Sequence, residues 1–374
     1  MSKVIGVKLS QIDIPLKHAV SDAKVATGKQ SPLSCVHILL AEILSDSGEV
    51  GIGFSYTLRV AAKASFELAK ELAPYLIGRD NNEVQKIWID LNWRTNSLGA
   101  GGLAAQVIAS FDSALWDLKA KIANLSLAQL IGPFRNKVRV YNSGGQYLQA
   151  TLEEIQTAAK QSIDRGIGGI KMKVGQPKWQ NDIERIEAVR DIIGPEIDLM
   201  IDANQQWNRS EALEFCKRVD DLGLAFIEEP LNARDFKGHA ILASQLKTPI
   251  ATGEMLTSYD EHAALIECNG CAVNQVDAPR IGGVTPFLRV AELASTAQMK
   301  IAPHFVMEQH IQLAATCGTE GWVEHFDWLE PLFDERLVIE KGFMHCPDRP
   351  GFGLSISEYA RTLTNDIAVF GASL

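Results

Sequence analysis

Along the 374-residue chain the spacing of apolar positions changes near residue 137. Before that point, "KVIGVKLSQIDIPL" and "SCVHILLAEILSDSGEVGIGFS" have the pattern of strands, the second bent by the turn residues "SDSGE". Helical spacing follows in "AAKASFELAKELAPYL" and "GLAAQVIASFDSALWDLKAKIA". Strands first and helices after them predict a separate α+β domain over residues 1–130. "LGAGGLAAQ" (98–106) has the glycines of a dinucleotide loop, but no clear strand precedes it. It reads instead as a helix N-terminus or the turn of a helix hairpin.

From residue 137, short apolar runs alternate with longer amphipathic segments. The runs are "VRVYNS", "GGIKMKV", "DLMIDA", "LAFIEEP", "PIATGE", "AVNQVDA", "KIAPH" and "GWVEHF". Segments such as "NDIERIEAVRDIIG" and "RSEALEFCKRVDDLG" between them read as helices. Eight strand candidates separated mostly by helices predict an α/β domain, a β/α barrel over residues 131–330 rather than an open doubly wound sheet. Residues 331–374, with "CPDRPGFGLSISEYARTL", read as a tail that packs back on the body, on the capping domain.

Composition narrows the partners. Hydrophobic residues make up 46% and charged residues 22%, as in soluble globular proteins. A net charge of −10 argues against a nucleic-acid or anionic-membrane surface. No apolar run approaches the ~20 residues of a membrane span. "MSKVIGVKLSQIDIPL" has no signal-peptide core, so a cytoplasmic location is expected. Of six cysteines only Cys268 and Cys271 form a C-x-x-C, with no second pair at zinc spacing, so reduced thiols are expected. An anionic substrate would have to be met by a local metal or by lysine.

The ends of the runs carry that local chemistry. Lys171 and Lys173 end the second, Asp202 the third and Glu228 the fourth; Glu254, Asp277, His304 and Glu324 end the remaining four. Asp202 to Glu228 is 26 residues, Glu228 to Glu254 another 26, Glu254 to Asp277 is 23 and Asp277 to His304 is 27. Each interval is one barrel unit, so polar residues recur at one height, where the C-terminal strand ends form an active-site floor. Three carboxylates a few ångströms apart raise one another's pKa unless a cation intervenes. All-oxygen donors favour a hard ion, and Mg²⁺ keeps sites for water or substrate oxygens. Asp202, Glu228 and Glu254 are therefore the expected metal ligands. The cation, a neighbouring ammonium and partial desolvation would lower the pKa of Lys173 into the range of a base, with Lys171 as electrostatic tuner and carboxylate contact. Asp277 accepting one ring N–H of His304 would make the histidine a second acid/base group across the barrel. The arrangement suits abstraction of a proton α to a carboxylate, and Glu324, if protonated, could bond the other carboxylate oxygen.

These residues carry a family resemblance. "FDSALWDLKAK", the K-x-K of "KMK", "IDAN", "IEEP", "TGE", "VDAPRIGG" with "APH", and "WVEHF" together resemble the mandelate racemase subgroup of the enolase superfamily over nearly the whole chain. The resemblance implies a modified (β/α)7β TIM-like barrel with an α+β capping domain, Mg²⁺, and a homo-oligomer, octameric in many relatives. "AVSDAKVATGKQSPL", "GIGFSYT", "KVGQP", "DANQQWNR", "ATGEMLTS" and "PHFVMEQH" are similar to the subgroup's acid-sugar dehydratases of the L-talarate and galactarate type. That similarity implies loss of water from an aldarate, with some epimerisation, and substrate contacts from the capping-loop residues Lys24, Ser55 and Tyr56 and from Asn204. A racemase or epimerase could use the same two bases, a dehydratase of another acid sugar is the other enzyme alternative, and a metal-dependent sugar-acid binder is the reading from outside catalysis.

Overall fold

The computed structural model describes residues 2–99 and 101–373. The chain opens with an antiparallel meander of β1 (Val4–Val20), β2 (Leu33–Ser45) and β3 (Val50–Leu58). Alternation along these strands gives the sheet two apolar faces. Val7, Leu9, Leu39, Ala41 and Ile43 share one buried cluster with Val107, Phe111, Ala114 and Leu118 of the long helix Gly102–Ile122. Gly53 permits that close approach: a Cβ there would lie 2.2 Å from the Ala114 backbone nitrogen. The helix begins within "LGAGGLAAQ", as a helix N-terminus or hairpin turn there requires; Ala100 of that stretch lies outside the described residues. The other face, with Ile12, Ile14, Val36, Ile38, Phe54 and Tyr56, packs on Phe305 and Phe326 of the following domain.

That domain has eight parallel strands: β4 (Lys137–Asn142), β5 (Gly169–Lys173), β6 (Asp198–Asp202), β7 (Phe226–Glu228), β8 (Ile250–Thr252), β9 (Val273–Asn274), β10 (Lys300–Ile301) and β11 (Trp322–His325). Ladders run in order from β4 to β10, and β11 pairs with β4 on its other side. No ladder joins β10 to β11 among the described residues, but Gly321 abuts β10 so closely that a Cβ would meet the Ile301 carbonyl oxygen at 1.7 Å. Helices cross between successive strands, and capping boxes start two of them: Thr151 with Glu154, and Asn208 with Glu211. Side chains facing the helices, such as Ile170, Met172, Leu199, Ile201 and Ile227, form one buried cluster. Inside the barrel lies a second apolar layer of Tyr141, Met200, Phe226, Ala251, Val273, Ala302 and Trp322. β5 contributes Gly169 at that level, because a Cβ there would lie 2.8 Å from Tyr141 Cβ.

Past the barrel, β12 (Ile339–Glu340) and β13 (Phe343–His345) fold back as a hairpin, β13 pairing antiparallel with β4. The last strand, β14 (Thr364–Gly371), pairs with β1 and completes the first sheet as β14-β1-β2-β3.

Candidate active site

The site follows from strand alternation. Two residues beyond the inward apolar layer, the chain again faces the barrel axis, and the residues there are Ser143, Lys171, Asp202, Glu228, Gln275, His304 and Glu324. Lys173, the last residue of β5, lies two further on. Glu254 and Asp277 come in from loops, two and three residues past the ends of β8 and β9. Those ladders are only two or three residues long, shorter than the apolar runs suggest. Above this polar layer is a cavity of about 840 Å³, bordered by Lys171, Lys173, Asn204, Glu254, His304 and Glu324 from below and by Lys24 and Tyr56 from the cap.

Asp202, Glu228 and Glu254, all buried, each bring a carboxylate oxygen within 4.8 Å of the others. Lys171, only 2% exposed, sits among carboxylates. Its Nζ is 2.7 and 2.8 Å from the two Glu228 oxygens, 2.7 Å from Glu324 Oε1 and 3.7 Å from Asp202 Oδ2. Lys173 Nζ donates to Asp202 Oδ2, and Gln275 Nε2 to Glu228 Oε2. Four carboxylates against two ammonium groups leave two negative charges unbalanced in a buried space. Burial and the adjacent Asp202 push the Glu228 carboxyl well above the usual range against the pull of Lys171. Burial would also raise Asp202, but Lys173 and Lys171 hold it down.

Across the ring of strands from β5, His304 Nδ1 lies 2.7 Å from Asp277 Oδ2, and its Nε2 is 3.4 Å from Glu254 Oε2. Asp277 also caps the short helix Ala278–Ile281, accepting the Arg280 N–H, which fixes the carboxylate independently of the histidine. Tyr56 of β3 donates to the same Asp277 oxygen at 2.6 Å and receives Arg280 Nε at 2.9 Å.

With this geometry, comparison with known proteins is specific. Residues 16–132 match the family model "Mandelate racemase / muconate lactonizing enzyme, N-terminal domain", and residues 154–360 match "Enolase C-terminal domain-like". The chain belongs to the mandelate racemase subgroup of the enolase superfamily. Within it, the chain is 48% identical to the L-talarate/galactarate dehydratase of Salmonella typhimurium LT2, over 99% of this chain and 93% of that protein. It is also similar to the L-talarate dehydratase of Polaromonas sp. JS666, solved with Mg and L-glucarate: TM-score 0.97, 48% identity, all of both chains covered. The Salmonella enzyme liganded with Mg and L-lyxarohydroxamate gives a TM-score of 0.98 at 47% identity, covering 99% of this chain and 95% of that one. The modified barrel and capping sheet expected from the sequence are thus the enolase-like fold.

In this mandelate racemase relative the expected residues converge, with one correction. Ser55 does not face the cavity. It shares its side of β3 with Gly51 and Gly53, which abut the long helix, whereas Tyr56 points to the barrel. Around the Lys173 ammonium the protein's own charges oppose burial. Burial alone would lower its pKa, but Asp202, Glu228 and Glu254 outweigh burial and raise it. Glu324 receives Lys171, the Ser143 hydroxyl and the Phe305 N–H, and Lys171 and His304 hold its carboxyl below the usual range despite burial.

Asn204 and Lys24 do border the cavity. Asn204 takes a left-handed φ of 44°, donates to Asp202 through N–H and Nδ2, and leaves its buried Oδ1 without a partner. The sequence reading gave no role to Ser143, Gln275 or Arg280. The first two lie at the inward position two past the apolar layer, and that parity was the available signal. Arg280 lies three residues after Asp277, one helical turn away.

Proposed function

We propose that the protein is a Mg²⁺-dependent acid-sugar dehydratase acting on L-talarate and galactarate. It would remove the α-proton and eliminate water, giving a 2-keto-3-deoxy-aldarate. The observation that carries this reading is a single cavity with Lys173 on one side, the Asp277-held His304 across from it, and a three-carboxylate cluster beneath. The likeness to dehydratases of that name supports the substrate class.

Asp202, Glu228 and Glu254 would hold the cation: the donors are all oxygen, converge within 4.8 Å, and carry the excess negative charge a divalent ion balances. Bound there, the cation supplies positive charge for the substrate carboxylate as electron density moves onto it. Lys173, once neutral, takes the proton from Cα on its face. Lys171 stays charged between Glu228 and Glu324 and contacts the substrate carboxylate. His304 approaches from the other face and protonates the departing β-hydroxyl, which leaves as water. The enol left behind takes up a proton at the former β-carbon and becomes the ketone. Lys24 and Asn204 contact the sugar-acid chain, and Tyr56 acts through Asp277. Bases on both faces allow either α-epimer to enter, with epimerisation as a side reaction.

The same pair of bases supports a second reading, a racemase or epimerase. Incubation with Mg²⁺ and a panel of aldaric and aldonic acids, read as keto acid trapped by semicarbazide, separates the two. The dehydratase predicts turnover of galactarate and L-talarate that is lost in Lys173→Ala and His304→Asn. Exchange of the α-proton into D₂O without keto acid would establish the racemase, and neither event would leave a binder. A cytoplasmic location and a homo-oligomer, octameric like relatives in the family, belong to the same proposal; light scattering on the purified protein reads the oligomer, and cell fractionation the location. No described helix is long and apolar enough to cross a membrane.

A further inference from the structure

Among the described residues, one other set of metal-ligating side chains converges. Asp13, Cys35 and His37 each bring a donor atom within 4.8 Å of the other two. Sheet geometry brings them together. Cys35 and His37 are two apart on β2 and so share a face, opposite to Val36 and Ile38, which are buried in the core. Asp13 on β1 is the direct cross-strand partner of His37, an arrangement that sets Cβ atoms ~4.5–5.5 Å apart. β1 keeps one register with β2 from Gly6 to Pro15, so plain alternation turns Ile12 and Ile14 toward the barrel and leaves Asp13 on the opposite face with Cys35 and His37. The side chains are reachable: His37 is 22% and Asp13 35% exposed, and Cys35 is half-buried. Cys35 and His37 also border the outer rim of the cavity described above.

Today the imidazole bonds the carboxylate, His37 Nδ1 to Asp13 Oδ1 at 2.7 Å. The Cys35 thiol has only a long contact to its neighbour's carbonyl, Val36 O at 3.7 Å. An ordinary surface Asp–His pair has no use for the thiol. One thiol, one imidazole and one carboxylate make a mixed donor set unlike the all-oxygen cluster in the barrel, and it suits a borderline-soft ion with a fourth position open to water.

We propose that Asp13, Cys35 and His37 form a second metal site, taking a divalent cation of the Zn²⁺ type at the outer rim of the cavity. The cation takes the place of the thiol proton of Cys35 and competes with the His37–Asp13 hydrogen bond, so binding releases a proton. It ties β1 to β2 beside the segment between them, which carries Lys24. The inference does not depend on the dehydratase reading.

Co²⁺, titrated into the full-length protein at saturating Mg²⁺, tests it. A cobalt–thiolate bond absorbs strongly in the near ultraviolet, and an all-oxygen site does not. The expected result is a thiolate-to-cobalt band in the wild type that Zn²⁺ displaces and that is absent from Cys35→Ser. His37→Gln is expected to weaken Co²⁺ binding by about tenfold or more. Cys346→Ser, at another half-buried thiol, is expected to keep the band. No band in the wild type, a band that survives Cys35→Ser, or unchanged affinity in His37→Gln would overturn the proposal.

Discussion

The Tyr56 hydroxyl lies 2.6 Å from Asp277 Oδ2, the same oxygen that His304 Nδ1 reaches at 2.7 Å. A strand of the capping sheet therefore shares an acceptor with the barrel's histidine. The direction of the bond is fixed, because Arg280 Nε donates to the Tyr56 oxygen and leaves its proton for Asp277. Burial pushes the phenol well above its usual pKa, so it remains a donor. Tyr56→Phe removes one of the donors that orient Asp277. The expected outcome is a fall in kcat of about 10–100-fold with KM little changed, as for other groups that orient a functional imidazole. Steady-state semicarbazide assays check it, and a kcat within twofold of wild type would show that Asp277 holds His304 unaided.

Lys171→Met probes the opposite wall. Lys171 is nearly inaccessible and faces Glu228 and Glu324 at 2.7 Å. Removing the ammonium leaves those carboxylates buried without their cation. The expected loss is ~3–5 kcal/mol in urea unfolding with chelator present, the range for breaking one partner of a buried ion pair. Added Mg²⁺ is expected to restore part of it. A change under ~1 kcal/mol would mean that the carboxyls simply take up protons.

The unbalanced charge makes a separate claim about the metal. An ion that binds only the folded state stabilises it by RT ln(1 + [L]/Kd), ~2.7 kcal/mol at a hundredfold excess over Kd. The melting temperature is therefore expected to rise with Mg²⁺ and fall with chelator. Asp202→Asn, which removes a charge from the cluster, is expected to flatten that dependence. A wild-type melting temperature indifferent to both additions would count against Asp202, Glu228 and Glu254 as the metal site.

Much of this site was legible in the sequence because barrel repetition converts one-dimensional spacing into one height in space. Asp202, Glu228 and Glu254 stand one unit apart, and the barrel ladders bring neighbouring strands into the register that turns this spacing into a cluster. His304 and Asp277 were readable for the same reason. What escaped was set by tertiary context. Which ammonium meets which carboxylate, Lys171 with Glu228 and Glu324 and Lys173 with Asp202, is carried by no local pattern. Ser55 and Tyr56 are neighbours in sequence but face opposite sides of β3, so a motif containing both could not separate a cavity residue from one against a helix. The hairpin Ile339–His345 fell where the barrel rhythm fades, and its strands are too short to leave a pattern.

A buried carboxyl outside the floor gives the pH dependence of stability a definite sign. Glu308, in the helix Met307–Ala314, is 3% exposed, and its Oε1 has no partner. Burial pushes its carboxyl from 4.5 up to about 8, with Arg336 too weak an influence to offset the loss of water. Below pH 4.5 both the folded and unfolded chains carry this proton, and the group leaves the equilibrium unchanged. Between 4.5 and about 8 the unfolded chain releases it while the folded chain keeps it, so wild-type stability falls as pH rises, by at most ~1.4 kcal/mol per unit from this group. Above about 8 both states are ionised and the loss stops growing. Glu308→Gln keeps the shape and cannot ionise. The variant is expected to gain on wild type by a few kcal/mol between pH 5 and 8.5. Urea midpoints of the two proteins at pH 5, 7 and 8.5 check this directly. Curves that stay parallel across the range would mean that Glu308 is already ionised in the folded protein, held by water or by a closer approach of Arg336.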